Sequence, residues 1–278
     1  MSERGSREIA GHWTSGPNAG QPGIVLEVRA GHLFGLNADG TYAFQSPDAF
    51  RAETGETGER LLEMLLPRPT ASQLYTGMIR EALADATMKA FSGPAETNWW
   101  EKSYSYIANN GEGDGFVVQL VSDGLVGALA CHDNVRTLDL REDLVPLEQR
   151  AALAALLELP YLLTTGSGIT AVFWTQDGYL ASGEPWHQTY IFGGELMRRE
   201  LLDDEAWLIE GAEYYGLSDE KTSAIVAVSS RARPRQPIVL TEEEIALLLP
   251  EDAPHRVDAA QQLFEAGVFV PPASSRTP

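Results

Sequence analysis

Apolar residues recur along this chain with two different periods. In one set of segments they alternate with small or polar residues: 32–37 and 41–45, 116–121 and 125–131, 169–175 and 179–182. Each pair of segments brackets an Asp-Gly dipeptide, at Asp39-Gly40, Asp123-Gly124 and Asp177-Gly178. Alternation puts successive side chains on opposite faces of a strand. Asp-Gly tolerates the positive φ angles of tight hairpin turns, so three antiparallel hairpins are predicted. A strand at 103–108 leads through a glycine-rich loop, 109–115, into the second hairpin, and 223–229 and 237–240 read as further strands.

The second period is helical. Residues 59–66 and 70–91 place Leu62, Leu65, Leu74, Met78 and Leu83 on one face. A proline opens an alanine- and leucine-rich helix over 146–159. Residues 195–215 set Leu196, Leu201, Trp207 and Leu208 against an acidic face. Thr241 followed by Glu244 is a capping box, and Gly267 fits the left-handed stop of a helix over 256–266. Leu65-Leu66-Pro67 and Leu248-Leu249-Pro250 form a faint internal echo. Strands and helices mix without a strict strand-helix-strand rhythm. The expected class is α+β, with antiparallel hairpins and helices packed on one side.

Punctuation by Gly, Pro and Ser marks residues 1–22 as a flexible tail, in which Trp13 could still dock. An α+β domain is expected over 23–230, with a sub-boundary near 95, followed by a separate unit over 231–278 with a short tail.

Charge narrows the function. Twenty basic residues against 40 acidic ones give a net charge of −20. Such a surface repels a phosphate backbone, so no nucleic acid is expected as a partner. The longest apolar runs, 125–131 and 151–157, fall far short of the roughly 20 residues of a spanning helix, so no membrane partner is expected either. The first 13 residues carry no apolar stretch of a signal peptide, and a cytoplasmic location is expected. A single cysteine, Cys131, excludes an internal disulfide and any zinc knuckle built on cysteines.

Motifs for nucleotide, hydrolase and zinc-protease chemistry are missing, and neither a metal nor a cofactor is expected. Gly166-Ser167-Gly168 precedes a strand, the wrong order for a phosphate cradle. His132-Asp133 has the composition of a metal-ligand pair, but it follows a strand and reads equally as a turn. His187, between Trp186 and Tyr190, could act as a general base in an aromatic pocket, or be an ordinary loop residue. Trp99 and Trp100 point to opposite faces of a strand, so one of them is a candidate binding anchor, as is Trp186. Residues 195–220 carry nine acids against Arg198 and Arg199, a face for a basic partner or a solvated helix surface. Arg231, Arg233 and Arg235 alternate, which in an extended chain aligns three guanidinium groups about 7 Å apart. They would grip an acidic peptide or pair with the protein's own acids.

The segment 236–272 reads strand, capped helix, a second helix ending in Glu265-Ala266-Gly267, and an apolar strand. It resembles the winged-helix peptide-recognition element of ribosomal-peptide modification systems. The resemblance implies that a leader peptide adds a strand to a sheet edge, with Arg231, Arg233 and Arg235 placed to set register. The expected function is a non-catalytic protein- or peptide-binding partner, either the recognition component of such a system or an inhibitor or immunity protein for a basic toxin. The alternative is an enzyme acting on a small molecule or peptide, with His187, His132 and Asp133 around a pocket.

Overall fold

The structure, a computed structural model, describes residues 8–29, 31–93, 98–101, 105–109, 114–122, 124–131, 146, 149–151, 153–154, 169–193 and 195–271. The chain is α+β and divides into two compact units: Met1–Arg68 with Glu184–Ile191, and Pro69–Gly183 with Phe192–Pro278. Neither division falls near residue 95 or residue 230.

The first unit is a five-stranded antiparallel sheet of β1 (Ile9–Trp13), β2 (Pro22–Arg29), β3 (His32–Asn37), β4 (Tyr42–Gln45) and β5 (Phe50–Ala52), in the order β4-β3-β2-β1-β5. The segment expected as a tail therefore holds a central strand. β1 buries Ile9, Gly11 and Trp13 and exposes the residues between them, a two-residue period too short to stand out among the surrounding glycines and prolines. Trp13 pairs directly with Phe50, and both are fully buried with ring centroids 4.8 Å apart. Val25, Val28, Leu33 and Ala43 complete that face, closed by Leu61 and Leu62 of α1 (Glu59–Leu65), with Ile191 of α3 (Trp186–Phe192) packed against it. The Asp39-Gly40 hairpin forms as predicted: the Gly40 amide donates to the Asn37 carbonyl and Gly40 takes φ +80°.

The second unit is built on α2 (Ala71–Ser92), started by the Thr70 side chain, which accepts from the Gln73 amide. Fourteen of its 22 residues are buried, on every side, so it is a core helix rather than an amphipathic surface one. Beside it runs a six-stranded antiparallel sheet of β6 (Asn98–Glu101), β7 (Ser105–Asn109), β8 (Gly115–Val121), β9 (Gly124–Ala130), β10 (Ile169–Gln176) and β11 (Tyr179–Ala181). Both other Asp-Gly hairpins pair as predicted, β8 with β9 and β10 with β11, although Asp123 itself lies outside the described residues. Asp177 and Gly178 take φ +54° and +79°, the two positive values of a primed turn. One sheet face carries Ile107, Val117, Val126, Val172 and Trp174 together with Leu153, from the only described part of the helix expected over 146–159. The other face carries Trp100, Tyr106 and Phe116, with Tyr106 in ring contact with both of the others, and Trp100 meets Tyr75 of α2.

The predicted helix over 195–215 is broken into α4 (Arg198–Leu201) and α5 (Asp204–Tyr215), because Asp203 caps a new helix by accepting from the Ala206 amide. The strand expected at 223–229 is instead the end of α6 (Asp219–Ser229). Its Ser218 cap and first-turn Asp219 and Glu220 are helix-start signals, and Thr222, Ile225, Val228 and Ser229 bury at helical spacing. Then follow β12 (Ile238–Val239), α7 (Glu242–Leu248), α8 (Arg256–Glu265) and β13 (Val268–Phe269), with β12 and β13 paired in parallel. The capping box is present, with Thr241 and Glu244 bonded both ways at 2.9 and 3.2 Å. α8 packs on α2, where Gln262 donates to Asp85 at 2.8 Å. The two Leu-Leu-Pro blocks end α1 and α7 alike, with Leu66 and Leu249 at φ/ψ −114°/68° and −134°/64°.

Candidate functional site

Two places carry more chemistry than packing alone demands, one inside the second unit and one on the surface of the first.

The internal one grows from the inward stripe of α2, where Leu74, Met78, Glu81 and Asp85 follow at helical spacing. Glu81 is completely buried. Its carboxylate accepts from Trp207 Nε1 at 2.6 Å and Tyr215 OH at 2.8 Å, both on α5, and meets Arg199 Nε of α4 at 3.4 Å. Glu200, 1% exposed, accepts from Tyr106 OH at 2.8 Å, while its Oε2 is buried without a hydrogen-bond partner among the described residues. Burial, and after it the Glu81 charge, pushes the Glu200 carboxyl up to about 7, against the opposing pull of Arg199 and the Tyr106 hydrogen bond. Burial also raises the Tyr106 and Tyr215 phenols well above their ordinary value. Burial, the largest single effect, pulls the Arg199 guanidinium down, but Glu81 together with Tyr215, Glu200 and Tyr214 outweighs it and the net direction is up. Arg199 also lies 4.0 Å over the Tyr214 ring.

Around this pair the chain is clasped to α2 by backbone contacts. Gln73 donates to the Leu201 carbonyl at 2.9 Å. Arg80, 1% exposed, donates to the Leu202 carbonyl at 2.7 Å and to Asp204 at 3.0 Å. A Cβ on Gly77 would stand 1.8 Å from the Glu200 carbonyl oxygen, so only glycine lets α4 approach so closely.

The surface place is the outward face of the five-stranded sheet near its β4 edge. Tyr42 and Phe44 are 72% and 54% exposed. Tyr42 stacks on Phe34 at 5.2 Å, and Phe44 stacks on His32 at 4.8 Å. The Arg29 guanidinium lies 4.1 Å over Phe34 and is ion-paired with Glu27. Among the described residues β4 has a strand neighbour on one side only. The aromatic row is thus held in place on an open edge.

The residues singled out in the sequence are dispersed. His187 is 2% exposed, and neither ring nitrogen has a hydrogen-bond partner among the described residues, so no acid stands beside it for proton transfer. His132 and Asp133 lie outside the described residues. Trp100 and Trp186 are buried at 1% and 8% exposure and are core residues rather than surface anchors; the Trp99 side chain lies outside the described residues. The arginines do not form a stripe, because Arg233 and Gln236 bridge across a tight turn in which Arg235 takes φ +63°. Arg231 pairs with Glu244 at 2.9 Å, and Arg233 donates to the Ala232 carbonyl at 2.6 Å. Among the described residues no three His, Cys, Asp or Glu side chains gather as a metal site. No described helix is long and apolar enough to cross a membrane.

The sequence reading missed both places. A signal for Glu81 was present, since it falls on the same helical stripe as Leu74 and Met78. No family model matches the chain, and no curated protein and no solved structure is detectably similar to it.

Proposed function

We propose that this α+β protein is a non-catalytic binding partner that takes an extended, basic segment of another protein along the β4 edge. One observation carries the reading: two large aromatic side chains stand exposed side by side on an edge strand, each steadied by a stacked ring. An added strand would use the free backbone groups of β4 for affinity. Its alternate side chains would lie beside Tyr42 and Phe44, at the distances where cross-strand pairs interact. Arginine or lysine there gains a cation–π contact with either ring. The charge balance favours the same partner. The described part of this unit has nine carboxylates against four arginines, and the whole chain carries −20. A basic protein is drawn to such a surface by long-range attraction. Recognition of a basic leader peptide and neutralisation of a basic toxin are both functions of this kind.

The test is a binding titration of the full chain with short synthetic peptides. One alternates arginine with valine and threonine, and a second replaces each arginine by glutamate. Binding of the arginine peptide alone is expected, weakening as salt rises, with amide shifts centred on β4 and loss of binding in a Tyr42→Thr, Phe44→Thr double variant. Equal binding of both peptides, or binding that survives the double variant, overturns the reading.

A further inference from the structure

Glu81 and Glu200 lie side by side in the second unit but are held differently. Both carboxyls are buried, and Arg199 borders both. Glu81 receives three donors, from Trp207, Tyr215 and Arg199. Glu200 receives one, from Tyr106, and leaves an oxygen bare. From α2 it is also felt by the Arg80 guanidinium, which is engaged by Asp204 and the Leu202 carbonyl. A carboxyl with so few donors, no exposure and a second carboxyl for a neighbour keeps its proton to a higher pH inside than it does in water. Once in water it ionises freely.

Glu200 sits on α4, which packs closely on α2 and is tied to Glu81 through Arg199 and to α5 through the Arg198–Glu210 ion pair. α4 is a single turn of four residues, flanked by a non-helical Leu202 and joined to α2 by the Gln73 and Arg80 bonds and the backbone contact at Gly77. We infer that residues 197–204 form a proton-linked latch on α2, held most tightly while Glu200 carries a proton and loosened as Glu200 gives it up. Release separates α4 from Gly77 and opens Glu81 and Tyr106 to solvent. The proton goes to water and no covalent bond changes, so the step needs no co-reactant. The latch stands independently of the binding reading, because it involves no residue of the five-stranded sheet.

Hydrogen exchange of the full chain tests it. The amides of Leu201 and Leu202 are bonded within the latch, and β8 amides provide a reference that reports only larger openings. After correction for the intrinsic pH dependence of exchange, latch opening is expected to rise by up to about tenfold per pH unit between pH 5 and 7 and to level off above, with β8 unaffected. In Glu200→Gln, which keeps the acceptor for Tyr106 but has no proton to lose, the slope is expected to vanish. Protection that does not change with pH, or a slope retained in Glu200→Gln, overturns the latch. Carbon-13 titration of the glutamate carboxyls in the wild-type chain gives an arm that needs no variant. One carboxyl titrating near neutrality supports the latch, and all of them titrating in the ordinary acidic range overturns it.

Discussion

In the α2 unit Arg80, Glu81 and Glu200 are each no more than 1% exposed, whereas in the five-stranded unit Tyr42 and Phe44 stand 72% and 54% in solvent. Each region thus inverts the usual distribution of residue types. Inside the α2 unit the inversion is compensated at Glu81, which has three donors, and in part at Arg80, which has two acceptors, while Arg80 Nε, Arg199 Nη1 and Glu200 Oε2 are buried without a hydrogen-bond partner among the described residues. On the sheet face Tyr42 stacks on Phe34, which Arg29 covers, and Phe44 stacks on His32, so the exposed rings rest on surface neighbours. A buried charge network specifies one arrangement of α2, α4 and α5, because any other arrangement strands a charge. An exposed aromatic row specifies nothing about its own fold and gains most when something covers it. The contrast separates residues that hold the protein together from residues available for a partner.

The largest effect expected on that contrast is Glu81→Ala. Removing the acceptor leaves Trp207 Nε1 and Tyr215 OH buried, and the partly exposed Arg199 beside them, without their partner, and breaking a largely buried pair of this kind costs about 3–5 kcal/mol. Urea unfolding followed by tryptophan fluorescence measures it. A loss below about 1 kcal/mol would mean that the network is solvated and the contrast is false.

The next effect concerns pH. The folded state holds a proton on Glu200, pushed up to about 7 from an ordinary 4.5, which the unfolded chain releases. The penalty on folding is therefore absent below pH 4.5, builds as pH rises towards 7, and is constant above. Its full size is on the order of 3 kcal/mol. Glu200→Gln is expected to be more stable than the wild type at pH 8 by an amount of that order, and equal to it at pH 4. Unfolding curves at the two pH values check both halves of the statement.

Gly77→Ala comes third. In an exposed helix interior this change stabilises by roughly 0.5–1 kcal/mol. Here the new methyl group meets the Glu200 carbonyl at 1.8 Å, so α4 must lift, and the net effect is a loss of about 1–3 kcal/mol. The sign alone, read by thermal or urea unfolding, decides whether α4 truly rests on α2.

These residues also mark where the sequence stopped being informative. The hairpins were legible because Asp-Gly is a local signal and the strands it joins are adjacent. The Thr241 box and the Gly267 stop were legible for the same reason, since a cap is decided within four residues. α2 announced itself by period. β1 did not, because its five residues pair with β2 and β5 across loops rich in glycine and proline. The run 223–229 alternates well enough for a strand, and only Ser218 with its acidic first turn makes it a helix. Glu200 is the hardest case. It is one acid among nine between 195 and 220, and its burial is set by a glycine on a different helix. Tyr42 and Phe44 looked like ordinary strand residues, because alternation says which residues share a face but not which face is left uncovered.

The smallest expected effect on stability is the sharpest test of the contrast. Replacing Tyr42 and Phe44 together by threonine keeps a residue suited to a strand at both positions and removes two rings whose contacts lie on the solvent face. The inner face, where Ala43 packs with Leu33 and Val25, is untouched. Stability should change by no more than about 0.5 kcal/mol, the range of surface substitutions. Binding of the arginine peptide should be lost in the same protein. If the double variant unfolds early instead, the rings support the sheet and the exposed row is structural. If it folds as well as the wild type and still binds, the partner lies elsewhere, and the exposed Val239, Phe264 and Phe269 beside the β12–β13 ladder become the surface to mutate next.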